Sequence, residues 1–191
     1  HLSMKIKKYS FLINDKISLG KYSLVVLRKQ DIQNIRKWRN DQINVLRQKI
    51  PLTKESQLKY YTNIIKKSFY KNKPDQILFS FLYNENCVGY GGLVHMDWSS
   101  NKGEVSFVSD TNRTKSKIIY QKDFSIFLKL LFKIAFNDMN LNKLTTETYD
   151  VRPWTINVLE NLGFKREGRL KNHVLIDYKL YDSILHAKFS K

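Results

Sequence analysis

The sequence predicts an α/β (α+β) domain built on a mixed, mostly antiparallel central sheet with helices on both faces. Three strand-like runs follow one another across short polar turns, which favours antiparallel pairing. A long amphipathic stretch then leads to a further strand, as expected for a helical crossover. Helical patterns occur both before and after the hairpin strands, and this order is typical of a sheet covered on both sides.

The first half of the chain predicts a strand, two helices and then three strands. The β-branched run Tyr22–Arg28 is typical of a strand. Asp31 and Thr53 occupy N-cap positions before segments whose apolar residues recur at helical spacing. The three following strands are predicted at Ile77–Tyr83, Cys87–Asp97 and Glu104–Ser109.

The second half predicts a polar loop, a long helix, a strand, a short helix and closing strands. The lysine-rich loop is expected at Asp110–Lys122, and the helix from about Asp123 to Asn137. Leu144–Tyr149 is the next predicted strand. Pro153 suits the first turn of the last helix, and Gly163 suits its C-terminal end. The closing strands are predicted at Phe164–Arg169, His173–Asp177 and Ser183–Phe189.

Composition indicates one soluble domain, expected over residues 4–191. The chain has 191 residues, of which 42% are hydrophobic and 27% charged. His1–Ser3 precede Met4 and are interpreted as a cloning remnant. The longest apolar stretch, Leu128–Ala135, contains lysines and is too short to cross a bilayer. With a single cysteine, Cys87, and no recognisable signal peptide, the sequence predicts a cytoplasmic protein without a membrane partner.

The formal net charge of +17 suits a nucleic acid, an anionic membrane surface or a phosphorylated small molecule as partner, and it also fits a lysine-rich surface without a specific partner. The basic clusters Lys5–Lys8, Lys66–Lys73 and Arg113–Lys122 are short, and no zinc-ligand or RNA-stacking motif accompanies them. Nucleic acid is therefore not the expected partner. The charge disfavours polycationic substrates and favours small molecules that carry phosphate. The sequence leaves open whether the chain forms a homodimer.

Four segments stand out by their sequence and order: IRKWRND at Ile35–Asp41, VGYGGL at Val88–Leu93, EVSF at Glu104–Phe107 and TINVLENLGF at Thr155–Phe164. Together they resemble the GNAT superfamily of acyl-CoA N-acyltransferases, in particular the branch with ribosomal-protein and amino-sugar N-acetyltransferases. The resemblance extends from about Tyr22 to Ala187.

The resemblance implies that the strands Glu104–Ser109 and Leu144–Tyr149 splay apart to receive the pantetheine arm of acetyl-CoA, the co-substrate. Its pyrophosphate is then expected at the N-terminus of the following helix. The reaction needs no metal and no covalent enzyme intermediate. The implied cofactor-binding residues are Phe107, Val108, Ser109, Arg113, Lys117, Lys122, Ser125, Arg152 and Thr155.

The pyrophosphate loop departs from the family pattern. The usual Arg/Gln-x-x-Gly-x-Gly/Ala motif is missing, because no glycine occurs between Asp110 and Phe124. Either basic side chains such as Lys117 and Lys122 bind CoA as point charges, or CoA binding has been lost. In addition, the family's frequent tyrosine acid would fall at Leu159, which has no proton to donate.

Candidates for proton transfer lie near the predicted splay. They are Glu104, Glu147, Tyr149 and His95. Each has a plainer interpretation, as a surface carboxylate, a packed aromatic residue or a structural histidine. Candidates for binding the acceptor are Arg39, Asn40, Arg47, Asp97 and Trp98.

The expected activity is acetyl transfer from acetyl-CoA to a primary amine of a small anionic acceptor, such as a nucleotide-linked amino sugar. One alternative is acetylation of a protein N-terminus, as in the ribosomal-protein branch. The other is a degenerate, non-catalytic domain that binds CoA or nucleic acid, which the glycine-free loop would fit.

Overall fold

A computed structural model describes residues 9–191, so His1–Ser3 and the basic cluster Lys5–Lys8 lie outside the described residues. Within that range eight strands form one sheet in the order β1-β2-β3-β4-β5-β6-β8-β7. All neighbouring strands are antiparallel except β5 and β6, which run parallel. The mixed, mostly antiparallel sheet is therefore confirmed. The strands are β1 (Lys16–Leu19), β2 (Tyr22–Val26), β3 (Ile77–Tyr83), β4 (Asn86–Asp97), β5 (Lys102–Ser109), β6 (Lys143–Tyr149), β7 (Lys165–Ile176) and β8 (Lys179–Phe189).

Helices cover both faces of this sheet. Adjacent residues of a strand point to opposite faces. Ser80 of β3 donates its hydroxyl to Asp31, just before the first helix, at 2.7 Å, whereas Phe81 packs against Phe127 on the fifth helix. The helices are α1 (Ile32–Asp41), α2 (Lys54–Tyr60), α3 (Lys66–Ser68), α4 (Thr111–Thr114), α5 (Lys117–Phe132) and α6 (Pro153–Asn161). None of the helices in the described part is long and apolar enough to cross a membrane.

An aromatic cluster fixes α5 against the centre of the sheet. The ring of Phe107 on β5 stacks on Phe124 and Phe127, with centroid distances of 5.2 and 4.5 Å. Gly91 of β4 makes room for this packing, because a Cβ atom there would lie 2.9 Å from the Phe127 ring and 2.1 Å from the Ser106 carbonyl. Gly91 of the VGYGGL segment thus permits close packing of α5 against β4.

The long helix begins at Lys117, not at Asp123, and α4 occupies part of the predicted loop. Ser116 is the N-cap, since its hydroxyl accepts the Ile119 N–H at 3.3 Å. Asp123, the predicted start of the helix, is fully buried in the second turn, where it accepts a hydrogen bond from Tyr22 at 2.9 Å. Its partners come from other elements, and local sequence patterns do not record such contacts.

The LGF end of the TINVLENLGF segment has a simple structural role. Gly163 adopts a φ of 91°, a left-handed conformation that suits glycine. Its N–H bonds the Glu160 carbonyl at 3.1 Å, and the Phe164 N–H bonds the Leu159 carbonyl at 3.0 Å. These two bonds form a Schellman motif that ends α6 and buries Phe164 in the core.

Two predictions about strands need correction. The four-residue strand β1 was not predicted, because its half-exposed sequence KISL carries little hydrophobic signal. The predicted strands Phe164–Arg169 and His173–Asp177 are one strand, β7. Its pairing with β8 shifts register twice, after Arg166 and after Leu170, so the alternation breaks although the strand continues.

Replacing Gly92 with alanine should destabilise the fold. Gly92 has a φ of 151°, and a Cβ atom there would lie 1.9 Å from the Ile77 carbonyl oxygen. We expect Gly92→Ala to lower the free energy of unfolding by about 2 kcal/mol or more, measured by urea denaturation. Gly168→Ala is the control, because its nearest neighbour would be Leu185 Cδ1 at an ordinary 3.7 Å. Equal losses in the two variants would contradict this account.

Candidate active site

The parallel strands β5 and β6 separate shortly after they meet. They pair at only three positions, ending at Glu104 opposite Thr145. Beyond this point β5 still pairs with β4 as far as Ser109, and β6 pairs with β8 as far as Tyr149. The inner edges of the two strands therefore face each other across a gap without mutual hydrogen bonds. An extended ligand can add to such edges as a strand would.

A cleft of about 490 Å³ extends through this gap, which is within the ordinary range for small-molecule sites. On the side of α5 and α6 its walls include Phe107, Tyr120, Thr146, Arg152 and Thr155. On the side of α1 and α2 they include Arg39, Arg47, Gln48, Gln57, Tyr60 and Tyr90. The cleft thus joins the expected CoA side to a polar chamber large enough for an acceptor.

The α5 side of the cleft fits the polar groups of a CoA arm. Thr146 Oγ1 on β6 and Arg152 Nε at the start of α6 line the cleft and are buried without a hydrogen-bond partner. Ser109 Oγ at the end of β5 is also buried without a partner, but Ser109 is not part of the cleft wall. Buried polar atoms in proteins are nearly always bonded, so unpartnered ones in a cleft indicate a polar ligand. Thr155 is buried, and its hydroxyl lies 3.3 Å from that of Tyr120.

The basic side chains expected at the pyrophosphate have different environments. Lys117 is exposed at the first position of α5, with Nζ 4.5 Å from the centre of the Trp154 ring. Lys122 is exposed one turn later, and Ser125 is half-buried beyond it. Of these three side chains, Lys117 lies nearest the N-terminus of α5, where the helix dipole and free N–H groups favour anions.

Arg113 is instead part of a buried ion pair. Its Nε and Nη2 donate to Asp123 at 2.6 and 2.9 Å, and its guanidinium lies over the ring of Tyr83. Burial and the bond to Asp123 raise the pKa of Tyr22, the third member of this network, to about 12. Arg113 therefore holds the connection between β5 and α5 in place.

The most concentrated group of charges lies where the two strands part. The guanidinium of Arg47 contacts Glu104 on β5 through Nη2 and Glu147 on β6 through Nη1, the latter at 2.9 Å. His95 Nδ1 lies 2.7 Å from the second oxygen of Glu104. His173 Nε2 lies 3.6 Å from the second oxygen of Glu147. We call these five residues the mouth network.

His95 of this network has a left-handed backbone conformation. The residue has a φ of 48° at an irregularity between Val94 and Asp97, where β4 loses register with β5. Such bulges often redirect a side chain beside a functional site. The imidazole is 71% exposed and so connects Glu104 to solvent.

Tyr149 ends β6 and also lines the cleft. Burial raises the pKa of its phenol, the positive charge of Arg47 lowers it, and the negative charge of Glu147 raises it, with a net upward shift. The phenol consequently keeps its proton at neutral pH. This state is the one that a general acid requires.

Three predicted acceptor-binding residues have structural roles instead. Asn40 anchors the connection between α1 and α2, accepting the Leu52 N–H at 2.8 Å and donating to the Leu52 carbonyl at 2.9 Å. Asp97 caps a turn, and bonds from the Ser99 hydroxyl and from Ser100 lower its pKa to about 2. Trp98 donates to the Pro74 carbonyl at 2.9 Å and packs in the core.

Several cleft residues were not predicted from the sequence. Tyr120 lies within the segment interpreted as a loop, although its spacing to Phe124 and Phe127 would have extended the helix. Tyr90 is buried beside Arg39, and burial raises the pKa of its phenol. Gln76 and His173 reach the site through tertiary contacts alone, so no local signal could have identified them.

Comparisons with known proteins agree with this geometry. The family model described as an acetyltransferase (GNAT) domain matches residues 24–185. The structure of spermidine N-acetyltransferase from Vibrio cholerae in complex with CoA and spermine is 16% identical, with a TM-score of 0.75 over 90% of this chain and 97% of that one. A mutant form of the spermidine/spermine N-acetyltransferase SpeG from Vibrio cholerae is 15% identical, with a TM-score of 0.72 over 90% and 95%.

At such identities the structural likeness shows the shared fold. No curated protein matches the chain. The family match covers most of the sequence, and the separation of β5 and β6 is the feature that this fold uses to receive acetyl-CoA. The chain therefore belongs to the GNAT acetyltransferase family and transfers an acetyl group from acetyl-CoA to an amine.

Proposed function

We propose that the acceptor is a small anionic molecule with one primary amine, such as a nucleotide-linked amino sugar. The charge balance of the cleft carries this proposal. Arg39, Arg47 and Arg152 line the same space as Glu147, and both carboxylates of the mouth network already contact Arg47. An acceptor that combines one ammonium group with phosphate complements such a mixture of charges.

The acceptor chamber also offers hydrogen bonds suited to a sugar. Gln48 lines the chamber, and its Oε1 is buried without a partner. Gln76 donates to the hydroxyl of Tyr60, and both residues line the same wall. Hydroxyl groups of a sugar can satisfy such amide and phenol groups, whereas the methylene chain of a polyamine cannot.

The similar structures of Vibrio cholerae carry the names of spermidine and spermine acetyltransferases. A polyamine would bring several positive charges into a protein of net charge +17 and toward Arg39 and Arg47. Repulsion from these charges would weaken its binding. This chain is therefore proposed to differ from those enzymes in its acceptor.

Glu104 is the proposed general base. It takes the proton of the acceptor ammonium, because a carboxylate in contact with His95 can pass that proton on to solvent. Acetyl-CoA, when bound in the gap, supplies the acetyl group and a sulfur leaving group. The neutral amine then attacks the thioester carbonyl carbon directly, with no intermediate on the protein.

Tyr149 is the proposed general acid. It lies on β6 two residues beyond Glu147, on the same face of the sheet. Its phenol donates a proton to the departing sulfur as the carbon–sulfur bond breaks, and the phenolate regains a proton when the acetylated nitrogen loses its own to become the neutral amide. This assignment places the acid on the strand, whereas the buried Leu159 stands on α6 where the family's tyrosine is expected.

An acceptor panel tests the proposed substrate class. With acetyl-CoA, we expect kcat/KM to be highest for UDP-linked amino sugars, lower for glucosamine 6-phosphate, and at least about 100-fold lower for spermidine and for N-terminal peptides. A preference for spermidine would replace the proposal with polyamine acetylation. A preference for peptides would favour the N-terminal acetyltransferase alternative.

Glu104→Gln should abolish base catalysis while retaining the shape of the side chain. We expect kcat to fall by about 100-fold or more, because an amide cannot accept the ammonium proton. Glu147→Gln is the matched variant on the partner strand. We expect its decrease in kcat to be at least tenfold smaller than that of Glu104→Gln. The reverse order of the two losses would transfer the base role to Glu147.

Tyr149→Phe should remove the proton donor. We expect kcat to fall by about tenfold or more, and Tyr178→Phe, at an exposed position of the β7–β8 turn, to leave it unchanged. Because the phenol pKa is raised, the donor form persists as pH rises, so loss of activity through Tyr149 should occur only at a pH above the ordinary pKa of a tyrosine. An unchanged kcat in Tyr149→Phe would rule out this role.

A further inference from the structure

The connection between α1 and α2 brings Arg47 to the point where β5 and β6 part. This connection is anchored on both sides. Gln42 donates to the Ser109 carbonyl at 2.8 Å, and Gln48 donates to Asn40 Oδ1 at 3.0 Å. Asn40 in turn bonds the backbone of Leu52. Arg47 is therefore held over the gap by fixed neighbours although its own side chain is about half exposed.

Arg47 joins the two strands where their backbone pairing ends, from Glu104 in the last pair of β5 to Glu147 two residues beyond it on β6. One guanidinium bridges a carboxylate on each strand, and these carboxylates are only 15% and 17% exposed. Two adjacent carboxylates with little access to water would repel each other strongly without a cation between them. Arg47 thus offsets one of the two negative charges at the mouth of the cleft.

The other charged groups near Glu104 and Glu147 do not alter the charge balance between these carboxylates and Arg47. His95 and His173 contact the outer oxygens of Glu104 and Glu147. Arg39 and Asp75 line the same cleft and carry opposite charges. Counted by formal charge, the two carboxylates and Arg47 together carry one net negative charge. One ammonium group neutralises that charge.

We propose that Arg47 determines which acceptors the enzyme binds, because it leaves the mouth network able to neutralise only one positive charge of the acceptor. A monoamine places its ammonium beside Glu104 without displacing Arg47. A second cationic centre on the acceptor meets the guanidinium and is repelled. The guanidinium has five N–H donors and uses one on each Nη atom for the carboxylates, so others can bind an acceptor phosphate.

This inference rests on the proposed function, since it explains why an anionic monoamine is preferred over a polyamine. Without Arg47 the mouth would keep two negative charges. A mouth with two negative charges would attract dications, and it would lack the N–H groups of Arg47 that can donate to a phosphate. A single substitution should therefore change the acceptor preference in a known direction.

The test compares glucosamine 6-phosphate and spermidine in wild type and in Arg47→Gln. Dissociation constants are measured by isothermal titration in the presence of CoA, and kcat/KM with acetyl-CoA. We expect Arg47→Gln to shift the ratio of the two affinities toward spermidine by about tenfold or more. Lys49→Gln is the control, because Lys49 is an exposed cation in the same connection, and it should shift the ratio by less than about threefold.

A second variant keeps the test decisive if Arg47→Gln folds poorly. Arg47→Lys preserves the charge without the two-pronged contact, so its ratio should stay within about threefold of wild type. A ratio in Arg47→Lys that shifts toward spermidine by tenfold, or no shift in a folded Arg47→Gln that binds CoA normally, overturns the inference. A wild type that prefers spermidine overturns the proposed function instead.

Discussion

The parting of β5 and β6 after Glu104 is the constraint on which the rest of the site depends. Beyond Glu104 both strands stay paired on their outer sides, so the sheet stays continuous while a gap opens inside it. The cost of unpaired backbone is tolerable only where a ligand or water can satisfy it. The cleft, the unpartnered Thr146 hydroxyl and the bridging position of Arg47 all follow from this gap.

The mouth network determines the charge at the entrance of the cleft that this fold forms. Acidic side chains from the two strands would suit a cationic acceptor, but Arg47 crosses from another element and contacts both of them. The result is a mouth of mixed charge beside a chamber lined by amides and phenols. A fold shared with polyamine acetyltransferases therefore does not imply a shared acceptor.

The glycine-free connection shows how tertiary contacts can replace a local motif. Arg113 and Asp123, with Tyr22, form a buried network that fixes the path from β5 into α5. Glycine is used in such turns for its conformational freedom, whereas here Asp110 and Ser116 cap two successive helical segments. The start of α5 stays beside the cleft without the usual glycines, and Lys117 provides a cation there.

The sequence by itself determined the fold class, the strand order around the hairpins and the LGF helix end, because these depend on periodicity, capping and turn chemistry within short segments. It also identified Glu104, Glu147 and Tyr149 as candidates, since the ends of the two strands could be located. Only the tertiary structure decided that Arg47 and two histidines meet these carboxylates, and that Asn40, Asp97 and Trp98 support the fold instead. Side chains far apart in the chain meet through packing, and no local pattern specifies those contacts.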